Sequence, residues 1–217
     1  MVSKKERSFE IFDEEKVLDD RGFCTFLEHL GITPETLRYY ETPEYCFNDY
    51  IPEHKPQMTL LICENKDIWF NIRRMMFEEQ KHVILGTYID GVVYGCGNKV
   101  SGRNALRTYT NFLGADVSYL YWGDIDRAGL NIYLSTLRNN EGVSVQLFIK
   151  AYEEMLSLAH NRCIPRSNDE RERLDNYAPI YELIEPKLRP FMAECISNNK
   201  RIPQEIISYA TLKALMR

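Results

Sequence analysis

Between residues 58 and 150 the chain alternates short apolar segments with longer amphipathic ones, and this alternation restricts the fold more than any other feature. The apolar segments have the length of buried strands, whereas the intervening segments carry apolar residues at helical spacing. The predicted strands are MTLLIC, HVILGTYIDGVVYGCG with a break at Asp90-Gly91, DVSYLYWGD and VSVQLFI. Strands that alternate with helices form right-handed units around a parallel sheet. The sequence therefore predicts an α/β fold with a mainly parallel sheet and helices on both faces.

A stretch rich in proline and turn residues, ETPEYCFNDYIPEHKPQ, precedes the first of these strands and indicates a boundary near residues 50 to 57. We expect a strand and helix segment over 1–57, in which RSFEIFDEEKVLDDRGFCTFLEHLGI forms a short strand and then a helix, and an α/β core over 58–150. The remainder, 151–217, repeats apolar residues at helical spacing and is expected to be a helical extension packed on the core. Within the extension, the charged segment SNDERERLDNYAP is expected to be a solvated loop.

The composition is that of a soluble globular protein, with 44% hydrophobic and 27% charged residues. No apolar run approaches the length of a membrane span, and the polar start MVSKKERSFE is not a signal peptide, so we expect a cytoplasmic protein without a membrane partner. The formal net charge of −5 argues against a broad basic face that grips nucleic acid. The cysteines form no CxxC pair and the four histidines are scattered, so any metal is expected to have oxygen ligands.

Carboxylates follow two of the predicted strands. Asp124 and Asp126 end one strand and are two residues apart, so they can project together, and Glu64 ends the strand MTLLIC. The carboxyl ends of parallel strands lie on one edge of the sheet, where ligands bind, so we expect the three carboxylates to converge there. Carboxylates without histidine suit Mg²⁺ or Mn²⁺. The alternative is that Asp126 caps the next helix, Asp124 is a solvated turn residue and Glu64 only starts a helix.

A glycine-rich turn, VVYGCGNKVSGRN, lies between a predicted strand and a helix. Its spacing, GxGxxxxG, differs from the dinucleotide and P-loop patterns, so a nucleotide cofactor is only an alternative. The turn could present backbone N–H groups and Lys99 to a phosphate, or it could be a simple tight turn. Lys66, Arg103 and Arg127 are expected near the same edge, where they could contact the neighbours of a scissile phosphate or would be ordinary surface charges.

The order of these motifs resembles the Toprim domain of topoisomerases, primases and related nucleases. It is more closely similar to the nuclease subunit of Wadjet-type bacterial plasmid-defence systems, itself similar to the topoisomerase VI A subunit. The segments that carry the resemblance are SFEIFDEEKVL, LLICENKDIWF, VVYGCGNKVSG, LYWGDIDRAGLNI and, more loosely, RIPQEII. The resemblance implies a Toprim-like (Rossmann-like) fold and a Mg²⁺- or Mn²⁺-dependent endonuclease that acts on double-stranded DNA.

By motif match, Glu64, Asp124 and Asp126 are implied to be the catalytic carboxylates and metal ligands. Gln204 and Glu205 of RIPQEII could lie on a helix surface or reach the metal, which makes Glu205 a further candidate ligand. The resemblance also implies a homodimer that works with condensin-like SMC subunits. The related topoisomerases attack DNA with a winged-helix tyrosine, but no tyrosine here can be assigned that role, so water is expected to be the nucleophile. We expect the chain to be the C-terminal part of a longer protein. The alternative is a non-catalytic module that dimerises and docks such a complex.

Overall fold

The computed structural model describes residues 1–41, 47–167 and 176–215, and the chain divides into two compact units, Met1–Glu44 and Tyr45–Arg217. The first unit combines short helices with a two-stranded parallel sheet. Its elements are β1 (Val2–Ser3), α1 (Lys4–Phe12), a 3-10 helix (Val17–Asp19), α2 (Arg21–His29), α3 (Pro34–Leu37) and β2 (Tyr39–Tyr40).

The stretch RSFEIFDEEKVLDDRGFCTFLEHLGI begins within helix α1, so the prediction that it starts with a short strand is wrong. Ser3 precedes the helix, and its hydroxyl accepts a hydrogen bond from the Glu6 backbone N–H at 3.4 Å. In return, the Glu6 carboxylate accepts the Ser3 backbone N–H at 2.7 Å. This reciprocal capping satisfies N–H groups that the first helical turn leaves without a partner. The S-x-x-E spacing of SKKE is therefore the local signal that outweighs the strand preference of the apolar residues.

The second unit is built around a five-stranded sheet. Its strands and helices up to the end of the sheet are β3 (Asn48–Tyr50), β4 (Gln57–Cys63), α4 (Lys66–Glu79), β5 (Val83–Ile84), β6 (Thr87–Tyr88), β7 (Gly91–Tyr94), a 3-10 helix (Gly97–Lys99), α5 (Ala105–Leu113), β8 (Asp116–Trp122), α6 (Arg127–Asn139) and β9 (Ser144–Leu147). The elements that follow are α7 (Ile149–Ala159), α8 (Ala178–Leu183), α9 (Arg189–Ser197), a 3-10 helix (Gln204–Ile206) and α10 (Tyr209–Leu215). The part of the chain that follows the sheet thus contains helices α7, α8, α9 and α10.

The strand order is β3-β7-β4-β8-β9, with β3 antiparallel and the other four strands parallel. This confirms the predicted α/β class, a mainly parallel sheet flanked by helices. From β4 the chain adds β7 on one side and then β8 and β9 on the other, so the direction of chain progress reverses between β4 and β8. Ligands of open α/β sheets bind at the carboxyl ends of the strands beside such a reversal. Cys63 pairs with Trp122 across this position, so Glu64 and Gly123 leave the two strands side by side.

The central strand β4 is covered on both faces. Its residues Leu60 to Cys63 have no exposed surface, which explains why the sequence is apolar at every position instead of alternating. Helix α4 packs on the core through Ile68, Ile72, Met75 and Met76, which are all buried. The same core places the carboxyl ends of β4 and β8 next to each other.

Two further expectations concern the ends of the core. Strand β3, Asn48–Tyr50, pairs with β7, so the second unit includes residues ahead of the region near residues 50 to 57 where the sequence indicates a boundary. The sequence did not indicate β3, because a three-residue strand among turn residues gives no clear apolar pattern. Of the segment SNDERERLDNYAP, residues 168–175 lie outside the described residues. Among the described helices, none combines the length and the apolar character that crossing a membrane requires.

Candidate functional site

Glu64 follows the last residue of β4 and lies at the carboxyl edge of the sheet. Its backbone N–H donates to the Trp122 carbonyl at 3.0 Å, which continues the pairing of β4 with β8 by one residue. Its carboxylate accepts a hydrogen bond from Tyr121 Oη at 2.9 Å and another from the backbone N–H of Asp124. The structure therefore brings Glu64 and Asp124 together, although they are far apart in sequence.

Two glycines of WGDIDRAG make this close approach sterically possible. A Cβ atom on Gly123 would lie 2.5 Å from Oε2 of Glu64 and 2.7 Å from Oη of Tyr121. A Cβ atom on Gly129 would collide with the backbone carbonyl of Asp124. Gly123 thus lets Glu64 approach β8, and Gly129 lets α6 begin directly against the turn. This packing explains why WGDIDRAG has glycine at both of these positions.

Asp124 and Asp126 are nearly buried, with 5% of each residue exposed. Oδ1 of Asp126 accepts the Gly129 backbone N–H at 2.8 Å, so this residue does cap helix α6, as one alternative from the sequence proposed. Oδ1 of Asp124 accepts the Gln204 backbone N–H at 2.8 Å. Asp124 is therefore a buried, hydrogen-bonded residue and not a solvated turn residue. In both aspartates a backbone N–H fixes one carboxylate oxygen.

The Oδ2 atoms of both aspartates face Arg201, a residue that the sequence patterns did not single out. Arg201 Nε and Nη2 lie 2.7 Å and 2.5 Å from Oδ2 of Asp124, and Nε lies 3.7 Å from Oδ2 of Asp126. The neighbouring Ile202 exchanges two backbone hydrogen bonds with Ile125, at 2.9 Å and 3.1 Å. The backbone of the C-terminal segment is therefore fixed beside the Asp-x-Asp turn, and the guanidinium reaches both carboxylates from there.

Gln204 is fully buried and joins the ends of β4 and β8. Its side-chain N–H donates to the Trp122 carbonyl at 2.8 Å, and its side-chain oxygen accepts the Asn65 backbone N–H at 2.8 Å. The Asn65 side chain in turn donates to the Glu205 carboxylate at 2.5 Å. Of the two alternatives for RIPQEII, the structure thus has Gln204 at the sheet edge and Glu205 beside it. The quoted motif was the only sequence signal for Gln204 and its neighbour Arg201.

Burial and like charge shift the pKa values of these carboxylates upwards. The pKa of Glu64 is raised to about 7, first by burial and then by the charges of Asp124 and Asp126. Burial also raises the pKa of Asp124, although the Gln204 N–H and Arg201 act in the opposite direction. Arg201 faces two of these three carboxylates, those of Asp124 and Asp126, so the edge carries more negative charge than Arg201 offsets. We call Glu64, Asp124, Asp126 and Arg201 together the carboxylate edge.

The donor chemistry of the carboxylate edge fits a hard divalent cation. Such ions prefer carboxylate oxygens, and the excess negative charge favours a cation over a neutral ligand. The positions of the side chains, in contrast, do not form a metal site in this structure. Within residues 1–41, 47–167 and 176–215, no three His, Cys, Asp or Glu side chains are placed so that they could hold a metal ion. In this structure the guanidinium of Arg201 meets Asp124 instead.

Arg127 has a different environment from the one predicted. Its Nε donates to the carbonyl of Ile196 at 3.1 Å and its Nη2 to the carbonyl of Ser197 at 3.0 Å, at the carboxyl end of α9. Carbonyls at a helix end lack intrahelical partners, so the guanidinium stabilises α9. Lys66, the first residue of α4, is exposed, and its predicted contact with phosphate stays a prediction.

The glycine-rich turn adjoins the same edge of the sheet. Cys96 and Gly97 have left-handed backbone conformations, with φ of 51° and 59°. A Cβ atom on Gly95 would lie 3.1 Å from the Ile62 side chain, so this part of the turn packs tightly on β4. Lys99 and Arg103 are exposed, and their predicted phosphate contacts also stay predictions.

Residues 52–215, about three quarters of the chain, match the family model described as Wadjet protein JetD, C-terminal. The chain belongs to this family. Membership makes it a component of a Wadjet defence system, which is a multi-subunit complex. The match includes all four residues of the carboxylate edge. A comparison with curated proteins found no match.

Replacing Gln204 by alanine should lower the free energy of unfolding by about 1–3 kcal/mol. The substitution leaves the Asn65 N–H without its partner, which costs about 1–3 kcal/mol for a buried group, whereas the Trp122 carbonyl keeps its hydrogen bond from the Glu64 N–H. Urea titration measures the change. Gln146→Ala, at an exposed position of β9, is the matched control and should stay within about 0.5 kcal/mol of wild type. Equal stability of Gln204→Ala and wild type would contradict the bridging role.

The stability of the metal-free protein should respond to the titration of Glu64. Because its pKa rises from 4.5 to about 7 on folding, the native state favours the neutral carboxyl. That contribution is complete below pH 4.5 and is lost as the pH rises through about 7. Glu64→Gln stays neutral, so between these limits the variant should gain up to about 3 kcal/mol relative to wild type. Urea titrations with a chelator at several pH values test this, and a constant difference would refute it.

Proposed function

We propose that the chain is the nuclease domain of a Wadjet defence complex. In this proposal it is a Toprim-type, metal-dependent endonuclease that hydrolyses phosphodiester bonds of double-stranded plasmid DNA. One observation carries the proposal: three carboxylates gather where β4 and β8 end and the strand order reverses, in a member of the JetD C-terminal family. Hydrolysis of a phosphodiester needs its negative charge offset, and acidic side chains at a ligand-binding edge can recruit the cation that does so.

Glu64, Asp124 and Asp126 would hold the Mg²⁺ or Mn²⁺ ion. A bound cation would polarise the phosphoryl group, help to activate water as the nucleophile and stabilise the leaving oxygen. The protein's own contribution is to orient the ligands. Tyr121 Oη holds Glu64, and backbone N–H groups hold one oxygen of each aspartate. These fixed hydrogen bonds restrict the rotation of each carboxylate before any ligand arrives.

Cations around the edge would bind the DNA phosphates. Lys66, Lys99 and Arg103 are exposed and suited to this role. Arg127 remains a weaker candidate, because its guanidinium already binds the carbonyls that end α9. Glu205 would be a further metal ligand, although its carboxylate accepts a hydrogen bond from Asn65.

The partners follow from the same proposal. A net charge of −5 does not supply a broad DNA-binding face, so other parts of the complex would provide most of the affinity for double-stranded DNA. We propose a homodimer that cooperates with condensin-like SMC subunits, which would deliver the DNA to the carboxylate edge.

The substitution Asp126→Asn should reduce Mn²⁺-supported plasmid nicking by the assembled complex to background. Asparagine still caps α6, so the fold should be retained while the charge is lost. Asp116→Asn is the matched control, because Asp116 is exposed at the opposite end of β8. Nicking would be measured on supercoiled plasmid, with thermal melting as the check on folding. Undiminished nicking by a folded Asp126→Asn protein would remove Asp126 from the catalytic group.

A second candidate is a non-catalytic dimerisation and docking module. The ion pair between Arg201 and Asp124 favours it, because a carboxylate neutralised in this way has a structural role without any metal. Under this alternative, isothermal titration of the chain with Mn²⁺ should give no saturable heat, whereas sedimentation should show a stable dimer. Saturable binding that Asp126→Asn abolishes would exclude it.

A further inference from the structure

The two aspartates of the carboxylate edge share one arrangement. In each, Oδ1 accepts a backbone N–H, from Gln204 to Asp124 and from Gly129 to Asp126, and Oδ2 faces Arg201. A backbone N–H fixes one oxygen of each carboxylate, and the other two oxygens point to a common position. Their negative charges stabilise a positive charge at that position. The guanidinium supplies that charge in this structure.

The side chain of Arg201 can move away from the two aspartates without disturbing the fold. Its backbone N–H donates to the Pro165 carbonyl at 3.1 Å, and Ile202 is paired with Ile125, so the main chain is fixed. Its side chain, in contrast, is 49% exposed, whereas that of Asp124 is 7% exposed. Rotation of the side chain alone would therefore move the guanidinium into solvent. The carboxylates would stay where their backbone hydrogen bonds hold them.

A guanidinium compensates the carboxylate edge incompletely. It carries one positive charge against the two aspartate carboxylates that it faces, and a divalent cation carries two. The two cations also repel each other when both contact the same carboxylate oxygen. Since arginine stays protonated at any ordinary pH, loss of a proton cannot remove it, and only movement can.

We propose that Arg201 is the internal counter-ion of the carboxylate edge and that a divalent cation binds by displacing its guanidinium from Asp124. The inference rests on the proposed metal-dependent function and adds to it a positioning residue that sets the affinity for the cation. Without the cation, Arg201 keeps the buried aspartates from repelling each other. The free energy of cation binding then includes the cost of breaking the ion pair between Arg201 and Asp124.

The first test compares Mn²⁺ affinity by isothermal titration of the full chain as wild type, Arg201→Gln and Arg138→Gln. Arg138 is exposed in the last turn of α6, whereas the aspartates lie at the first turn, so its substitution removes the same charge far from the edge. Arg201→Gln should bind Mn²⁺ about 10-fold more tightly than wild type, within the usual range of coupling between sites. Arg138→Gln should bind like wild type.

The other outcomes separate this inference from the function on which it rests. Equal or weaker Mn²⁺ binding by Arg201→Gln, with saturable binding by wild type, overturns the displacement and leaves the metal site intact. Absence of binding in all three proteins overturns the metal site itself, and the displacement with it. A tighter site that Asp126→Asn abolishes in the Arg201→Gln background supports both.

A second measurement uses the wild-type protein, so it does not depend on the stability of a variant. The Nε–H signal of Arg201 in a ¹H–¹⁵N NMR spectrum should be protected from exchange in the metal-free protein, because Nε donates to Asp124. Saturation with diamagnetic Mg²⁺ should move this signal to the position and exchange rate of a solvent-exposed arginine. Arg201→Lys identifies the signal by its loss. A signal that remains protected at saturating Mg²⁺ overturns the proposal.

Discussion

The pairing of β4 with β8 is the interaction on which the rest of the structure depends. Their register extends from Gln57 and Asp116 to Cys63 and Trp122, and it decides which residues leave the sheet together. In β8 the buried residues Val117, Tyr119 and Tyr121 alternate with more exposed ones, so a shift of this register by one residue would expose apolar side chains and bury polar ones. The core therefore specifies the carboxylate edge. Glu64 meets Asp124 because the two strands end at the same level.

Much of this arrangement could be predicted from the sequence, because it depends on local patterns. Continuous apolar runs mark strands buried on both faces, and parallel strands that end on carboxylates indicate an acidic edge. Local patterns also failed where a stronger local signal was overlooked. The capping pair of Ser3 and Glu6 makes RSFEIF helical, and the short strand β3 is hidden among turn residues.

The C-terminal contribution could not be predicted in the same way. Arg201 contacts a residue 77 positions earlier, and the Gln204 side chain contacts one 139 positions earlier. The local sequence of RIPQEII does not distinguish a surface helix from a segment that packs against an acidic edge. Which of the two forms depends on the path by which the chain returns to the sheet. The roles of Asp126 illustrate a related ambiguity. One carboxylate caps a helix and faces Arg201 at once, so the structural and the functional interpretations of the motif are both compatible with it.

The long sequence separation of these contacts has a consequence for folding. Each contact between distant segments carries a loop-closure entropy, which other contacts must offset. Asp124 contacts Arg201 and Gln204 only when the returning segment is docked on the sheet. In a chain whose sheet has formed without this docking, the carboxylates would repel each other with no ordered cation beside them. The acidic edge is therefore complete only when the segment that carries Arg201 and Gln204 is in place.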